Sequence, residues 1–136
     1  GISERVAWHG WLAPDALAER LAACDLSVTV PESDATSVSL LESMACGLPV
    51  IASDLPPNRQ WISANGGRLV AAGDVGALAA AMCSEFDDAS MRRRQGEFNR
   101  MRIEEKGSTR SQMDRMAELY RAMQKSPSQT AAFINP

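Results

Sequence analysis

A single histidine, His9, stands in the 136 residues of this chain. One imidazole cannot furnish a zinc site, which needs several nitrogen or sulfur donors. Neither a serine nor a cysteine sits at an elbow beside it, which removes most Ser-His and Cys-His triads. Cysteine is scarce and odd in number: Cys24, Cys46 and Cys83, each in an apolar stretch, with no CxxC spacing. These read as buried free thiols in a reducing, cytoplasmic compartment. No D-x-D motif occurs, so no metal or other cofactor is expected. Gly73 and Gly76 lack the G-x-G-x-x-G spacing of a dinucleotide loop. No apolar run approaches the roughly 18 residues of a membrane span. The chain opens on Gly1 with neither a methionine nor a signal peptide, and it reads as an excised fragment.

What is present is ordinary for a globular protein. The hydrophobic fraction is 45%, the charged fraction 23% and the net charge -3. That length fits one domain with a real core. The mild acidity argues against nucleic acid or an anionic membrane surface as a whole-domain partner. Arg92-Arg93-Arg94 is a dense basic run and reads as a solvated helix face.

Strand and helix patterns alternate. Arg5–His9 and Leu26–Val30 read as strands, the second rich in β-branched residues. Pro14–Cys24 reads as a helix, with Pro14 in its first turn and Leu17, Leu21 and Cys24 on one face. Val38, Leu41 and Ala45 repeat at helical spacing until Gly47 ends the helix. Pro49–Ala52 and Gly67–Val70 are further strands, with a short helix over Pro57–Ile62 between them. Asp74 is a candidate cap for a helix to Phe86, and Ser90 for a second to about Glu105. Gly107 and Ser108 separate that helix from a third, Arg110–Gln124. One domain over residues 1–124 and a polar, proline-bearing disordered tail over 125–136 are expected.

This alternation predicts an α/β, Rossmann-like parallel sheet with helices on both faces. Ligands of such sheets bind beyond the C-terminal strand ends, which here carry the loops His9–Ala13, Pro31–Ser37 and Ser53–Pro57. A helix starting near Thr36 or Ser37 leaves its first amides without internal partners at the positive end of its dipole. Ala35, Thr36 and Ser37 are small enough for a ligand to approach the backbone. The combination makes an anion site suited to a diphosphate. Glu42 follows as the one charge among Val38, Leu40, Leu41, Met44 and Ala45. Its partners are either ribose hydroxyls or donors of a neighbouring loop.

Asp34 and Glu42, eight positions apart, match the acidic-x7-Glu pattern of retaining glycosyltransferases with the two-Rossmann (GT-B) architecture. The segment Leu41-Glu-Ser-Met-Ala-Cys-Gly-Leu-Pro-Val-Ile-Ala-Ser-Asp54 resembles the EAMACGxPVIASD block of that group 1 (family 4) set, which includes sucrose synthases and phosphatidylinositol mannosyltransferases. Arg5-Val-Ala-Trp-His-Gly10 resembles its V-x-F-x-G strand, Asn65-Gly-Gly-Arg-Leu-Val70 its NG-x-LV segment, and Leu119-Tyr120 its closing helix. The likeness covers about residues 5–122. Two positions depart from it: Asp34 where glutamate is commoner, and Thr109 where an aromatic residue often stands.

The resemblance implies the C-terminal, donor-binding half of a GT-B fold, a transferase using a nucleotide sugar such as a UDP- or GDP-sugar. Asp34 would be the catalytic-site acid, holding donor-sugar hydroxyls. The backbone around Thr36, Ser37 and Val38 would cradle the diphosphate, Glu42 would grip the ribose, and Leu12, two positions past Gly10, would meet the base. The acceptor domain, and the Arg and Lys that neutralise the departing diphosphate, would lie in a missing N-terminal domain. That missing domain would also carry any peripheral membrane contact. The 136 residues alone are then expected to be inactive, and a homodimer through the exposed domain interface is a further expectation. A non-catalytic nucleotide-binding module, or a structural remnant of the same ancestry, is the alternative. Among the tempting residues, Trp8 reads as core and His9 as a strand-end residue. Trp11 belongs either to the base-side loop or to the face of the missing domain. The helical methionines read as filling for core or interface gaps.

Overall fold

The computed structural model describes residues 1–125. The expected tail from Ser126 onward lies outside the described residues. The chain divides into two compact units, Gly1–Arg100 and the part from Met101 onward.

In the first unit a 3-10 turn at Ser3–Arg5 is followed by α1 (Pro14–Ala22), β1 (Ser27–Thr29), α2 (Val38–Ala45), β2 (Val50–Ser53), α3 (Pro56–Arg59), β3 (Gly67–Val70) and α4 (Val75–Asp87). Next comes α5 (Ala89–Lys106), within which the division falls. The strands form one parallel sheet in the order β1-β2-β3. Ser27 is level with Val50, and Val50 with Gly67.

Side chains level with one another in parallel strands share a face and successive ones alternate. Ser27, Val50 and Ala52 therefore face one way, and Ile51, Arg68 and Val70 the other. The Ser43 hydroxyl of α2 lies 2.8 Å from that of Ser27, which sets α2 on the first face. Ile51 and Val70 pack with Ala81 of α4, which sets α4 on the second. Both faces of the central strand are covered, as the alternation predicts, and β2 is buried at all four positions. Leu40, Met44, Val50 and Ile51 are fully buried. Each such side chain contributes about 1.5–3 kcal/mol relative to exposure.

Helix ends follow from particular residues. The Ser37 hydroxyl accepts from the Leu40 amide at 3.3 Å and opens α2. At the other end Gly47 takes φ 77, its amide reaches the Met44 carbonyl, and the Leu48 amide reaches that of Ser43. This is a Schellman closure, and it needs glycine at its left-handed position. Asp74 caps α4 through the Ala77 amide, 2.8 Å away.

The structure corrects several expectations. Arg5–His9 is not a strand: beyond the 3-10 turn the segment has no regular structure and is exposed throughout. Among the described residues it pairs with no strand, although no strand occupies the outer edge of β1. Trp8, expected in the core, is 93% exposed. Cys24, Cys46 and Cys83 are free as expected, but Cys24 and Cys83 are exposed. The cap of α5 is Asp88 and not Ser90: its carboxylate accepts from the Met91 amide and the Ser90 hydroxyl, each at 2.8 Å. Arg92 is more than a solvated face. It donates to the carbonyls of Glu85 and Phe86 at the end of α4 and lies over the Phe86 ring.

A buried polar stripe joins α4 and α5 to the sheet. Glu85 is fully buried and accepts from Arg68 Nε at 2.8 Å. Asn99, also fully buried, donates to the carbonyls of both Leu48 and Gly66 at 2.7 Å.

In the second unit α5 ends at Lys106, Gly107 and Ser108 follow, and α6 (Thr109–Lys125) comes next. The Gln112 side chain donates to the Lys106 carbonyl at 2.7 Å. Met113, Met116, Tyr120 and Met123 recur at helical spacing along α6, and all are exposed. Among the described residues no helix is long and apolar enough to cross a membrane.

Candidate functional site

The C-terminal edge of the sheet is built by the exits from β1 and β2. After Thr29 the chain runs through Pro31 into an exposed polar loop, Glu32-Ser-Asp-Ala-Thr36, and enters α2 at Ser37. Pro31 has no N–H to continue a ladder and pushes Val30 toward extended geometry, so strand pairing stops there. The loop is held at both ends. Ser53 closes β2, is fully buried, and donates its hydroxyl to the Pro31 carbonyl at 2.6 Å. Ser37 is buried, serves as the cap, and lies 3.0 Å from the Ser39 hydroxyl.

The positions of the site residues follow. Asp34 and Thr36 lie on the exposed loop, and Val38, 66% exposed, opens the helix. The amides of Val38 and Ser39, in the first helical turn, have no carbonyl one turn back within α2 to accept them. Glu42 is exposed one turn further along the same helix. Among the described residues no hydrogen bond or ion pair reaches its carboxylate, so the neighbouring-loop partner is not present. The chain thus carries Asp34, the α2 start and Glu42 in succession along one loop–helix unit. Gly10 and Leu12 lie apart from that unit in sequence. Gly10 takes φ 60, Leu12 is half-buried, and the stretch His9–Ala13 does not leave a strand as expected.

The loop after β2 leaves the same C-terminal edge of the sheet. Asp54 accepts from Arg59 Nε at 2.6 Å and Nη2 at 3.1 Å. These bonds hold the exposed Asp54 carboxyl below the usual carboxylate range. The Asn58 side chain, buried, donates to the Ser53 carbonyl at 2.9 Å. Neither contact announces itself in the sequence. Ser53 stands in an otherwise apolar strand, and that polar break is the signal available there.

A cavity of about 690 Å³ opens elsewhere, on the α4 face, lined among others by Ile62, Arg68, Val70, Met91 and Gln95. None of the predicted site residues lines it. Its walls are mainly apolar, and the helix start lies at the other place, the strand-end edge.

A parallel sheet with helices on both faces and a capped helix opening at its C-terminal strand edge is the Rossmann-like architecture of a GT-B domain. The chain belongs to the glycosyl transferases group 1 family, whose sequence profile matches residues 1–102. Among solved structures it is similar to the sucrose-phosphate synthase of Thermosynechococcus elongatus, with 29% identity and a TM-score of 0.81. That alignment covers 90% of this chain and 31% of the synthase chain, so this chain spans under a third of the synthase's length. No curated protein matches it.

Proposed function

We propose that this chain is the donor-binding half of a retaining glycosyltransferase that moves a sugar from a nucleoside diphosphate to an acceptor. The observation that carries the reading is the loop–helix unit of a group 1 chain, with Asp34, a capped helix start and Glu42 in succession. The diphosphate sits at the first-turn amides of α2, where the helix dipole is positive. The Glu42 carboxylate, exposed and unclaimed, accepts from the ribose hydroxyls. Asp34 holds hydroxyls of the donor sugar close to the reacting carbon. Gly10 and Leu12 meet the base.

The same geometry supports the inactivity of the 136 residues alone. From Pro31 to Val38 there is no lysine or arginine. Arg59, across the edge, is engaged by Asp54. Stabilising a departing diphosphate needs positive groups, and losing one such group costs about a hundred- to a thousand-fold in rate. Those groups and the acceptor site belong to a further domain, as the one-third coverage of the synthase chain supports. Donor chemistry requires no resident cofactor or metal in this reading. A cytoplasmic setting fits the exposed free thiols Cys24 and Cys83.

Chemical-shift mapping with UDP, GDP and ADP tests the proposal. Shifts concentrated at Leu12, Ser37, Val38 and Glu42 are expected. Shifts confined to the cavity beside Arg68 and Gln95, or no binding of any nucleotide, would reject it.

A further inference from the structure

Ser53 is a serine in a strand that otherwise reads Val50-Ile-Ala. Its backbone belongs to the ladder, level with Val70 of β3. On the other side β1 stops pairing at Thr29, level with Ala52. The next ladder rung would need an N–H where Pro31 has none. The Ser53 hydroxyl fills that gap: it is fully buried and donates to the Pro31 carbonyl at 2.6 Å. Three residues further along stands Asp34.

We infer that Ser53 is a positioning residue for Asp34, fixing the acidic loop so that its carboxylate meets the donor sugar. The inference rests on the donor-site reading above. Five exposed residues, 32–36, separate two pins, the Ser53–Pro31 bond and the buried Ser37 cap. Without the first pin the nearest fixed point behind Asp34 retreats to Thr29. Each freed residue regains backbone entropy, which sugar binding would then have to remove. The diphosphate is little affected by this, because the first-turn amides of α2 that cradle it are fixed by the second pin. Ser53 therefore acts on sugar recognition and not on nucleotide recognition.

The pin is held in turn from behind. The Ser53 carbonyl accepts from the buried Asn58 side chain at 2.9 Å and from the Leu55 amide at 2.8 Å. These contacts fix the strand end from which the hydroxyl reaches across to Pro31.

The test is binding by the 136-residue chain of UDP-glucose and GDP-mannose, each beside UDP and GDP. Ser53→Ala removes one oxygen and adds no volume. It is expected to weaken the nucleotide sugars by about 3- to 10-fold, the equivalent of one net hydrogen bond, and to leave the diphosphates within about twofold. Asp34→Ala should give the same pattern, and the double variant should be no worse than either single one, since both act through one contact. Ser53→Thr, which keeps the hydroxyl, should restore sugar discrimination. Ser43→Ala, which removes a buried hydroxyl that does not touch the loop, should leave both ligand classes unchanged. Equal losses for sugars and diphosphates, or additive effects in the double variant, would overturn the inference alone. Failure of the wild-type chain to bind any nucleotide would overturn the donor-site reading and the inference with it.

Discussion

Gly96 of α5 rests directly on the carbonyl of Gly47, the residue that closes α2: a methyl group on Gly96 would overlap that oxygen. Gly47 itself takes φ 77 and has the Arg100 guanidinium beside it, which also donates to the Cys46 carbonyl at 3.1 Å. Two glycines far apart in sequence thus set how closely α5 approaches the end of α2. The oxygen is backbone and cannot swing aside. Gly96→Ala is therefore expected to destabilise the fold by about 1–3 kcal/mol, the usual cost of overpacking. Its intrinsic helix gain over glycine, about 1 kcal/mol, offsets only part of this. A lower denaturation midpoint with an unchanged slope is the expected result. A raised midpoint would show that α5 can shift without cost.

Asn99 makes a second tie, this time to the sheet ends. Its amide spans the Leu48 and Gly66 carbonyls, and Gly66 also accepts from the Val50 amide at 3.3 Å. Removing the side chain leaves the Leu48 carbonyl buried without that donor. Asn99→Leu should cost about 1–3 kcal/mol, the penalty of an unsatisfied buried group. Chemical denaturation measures it, and an unchanged stability would mean that water replaces the amide.

Glu42→Gln tests the ribose contact. The variant keeps shape and loses charge, so it should weaken UDP or GDP binding by about tenfold, the worth of a charged hydrogen bond. Inorganic diphosphate, which has no ribose, should bind as before. Calorimetric titration of both ligands decides the matter, and equal losses would contradict the assignment.

Acid should loosen the start of α5. The Asp88 carboxyl is held below its ordinary value of 3.8, first by the Met91 amide and then by the Ser90 hydroxyl. A depressed folded-state value means that the charged form stabilises the fold. The contribution is complete above 3.8 and is lost as pH falls below that through the depressed value. Asp88→Asn keeps an acceptor oxygen and cannot titrate. The stability gap between wild type and variant should be constant near neutrality and close toward about pH 2. A gap that stays open in acid would show that the carboxylate's charge is irrelevant to the cap.

The core elements and the loop–helix unit were legible because their signals are local. β-branched runs, Pro14, Gly47 and Asp74 all act where they stand, and the helix and strand limits agree with them to within a few residues. The expected strand Arg5–His9 failed because a strand is a relation between two chains of atoms. Its sequence has the composition, but it forms no ladder with any described strand. Trp8 failed with it, since its burial depended on that strand. The α5 contacts were illegible for another reason. The buried residues Gln95, Gly96 and Asn99 form a stripe without hydrophobic residues, so a search for apolar periodicity passes over it. At the site, the loop and Ser37 were visible as residue types. The Ser53 hydroxyl was not, because its partner carbonyl is 22 residues away and a carbonyl leaves no mark in a sequence.

The exposure of the N-terminal tryptophans also determines what light reports about this protein. Trp8 and Trp11 are 93% and 86% exposed while the chain is folded, whereas Trp61 is half-buried beside α3. Two of the three indoles already emit from water, so unfolding scarcely changes their surroundings. Any spectral shift in intrinsic fluorescence arises from Trp61, whose amide bonds to the carbonyl of Asn58. Fluorescence is then a local gauge of the segment that braces Ser53, while circular dichroism follows the helices as a whole. Divergence of the two signals in a titration would mark the loosening of that brace before the sheet gives way.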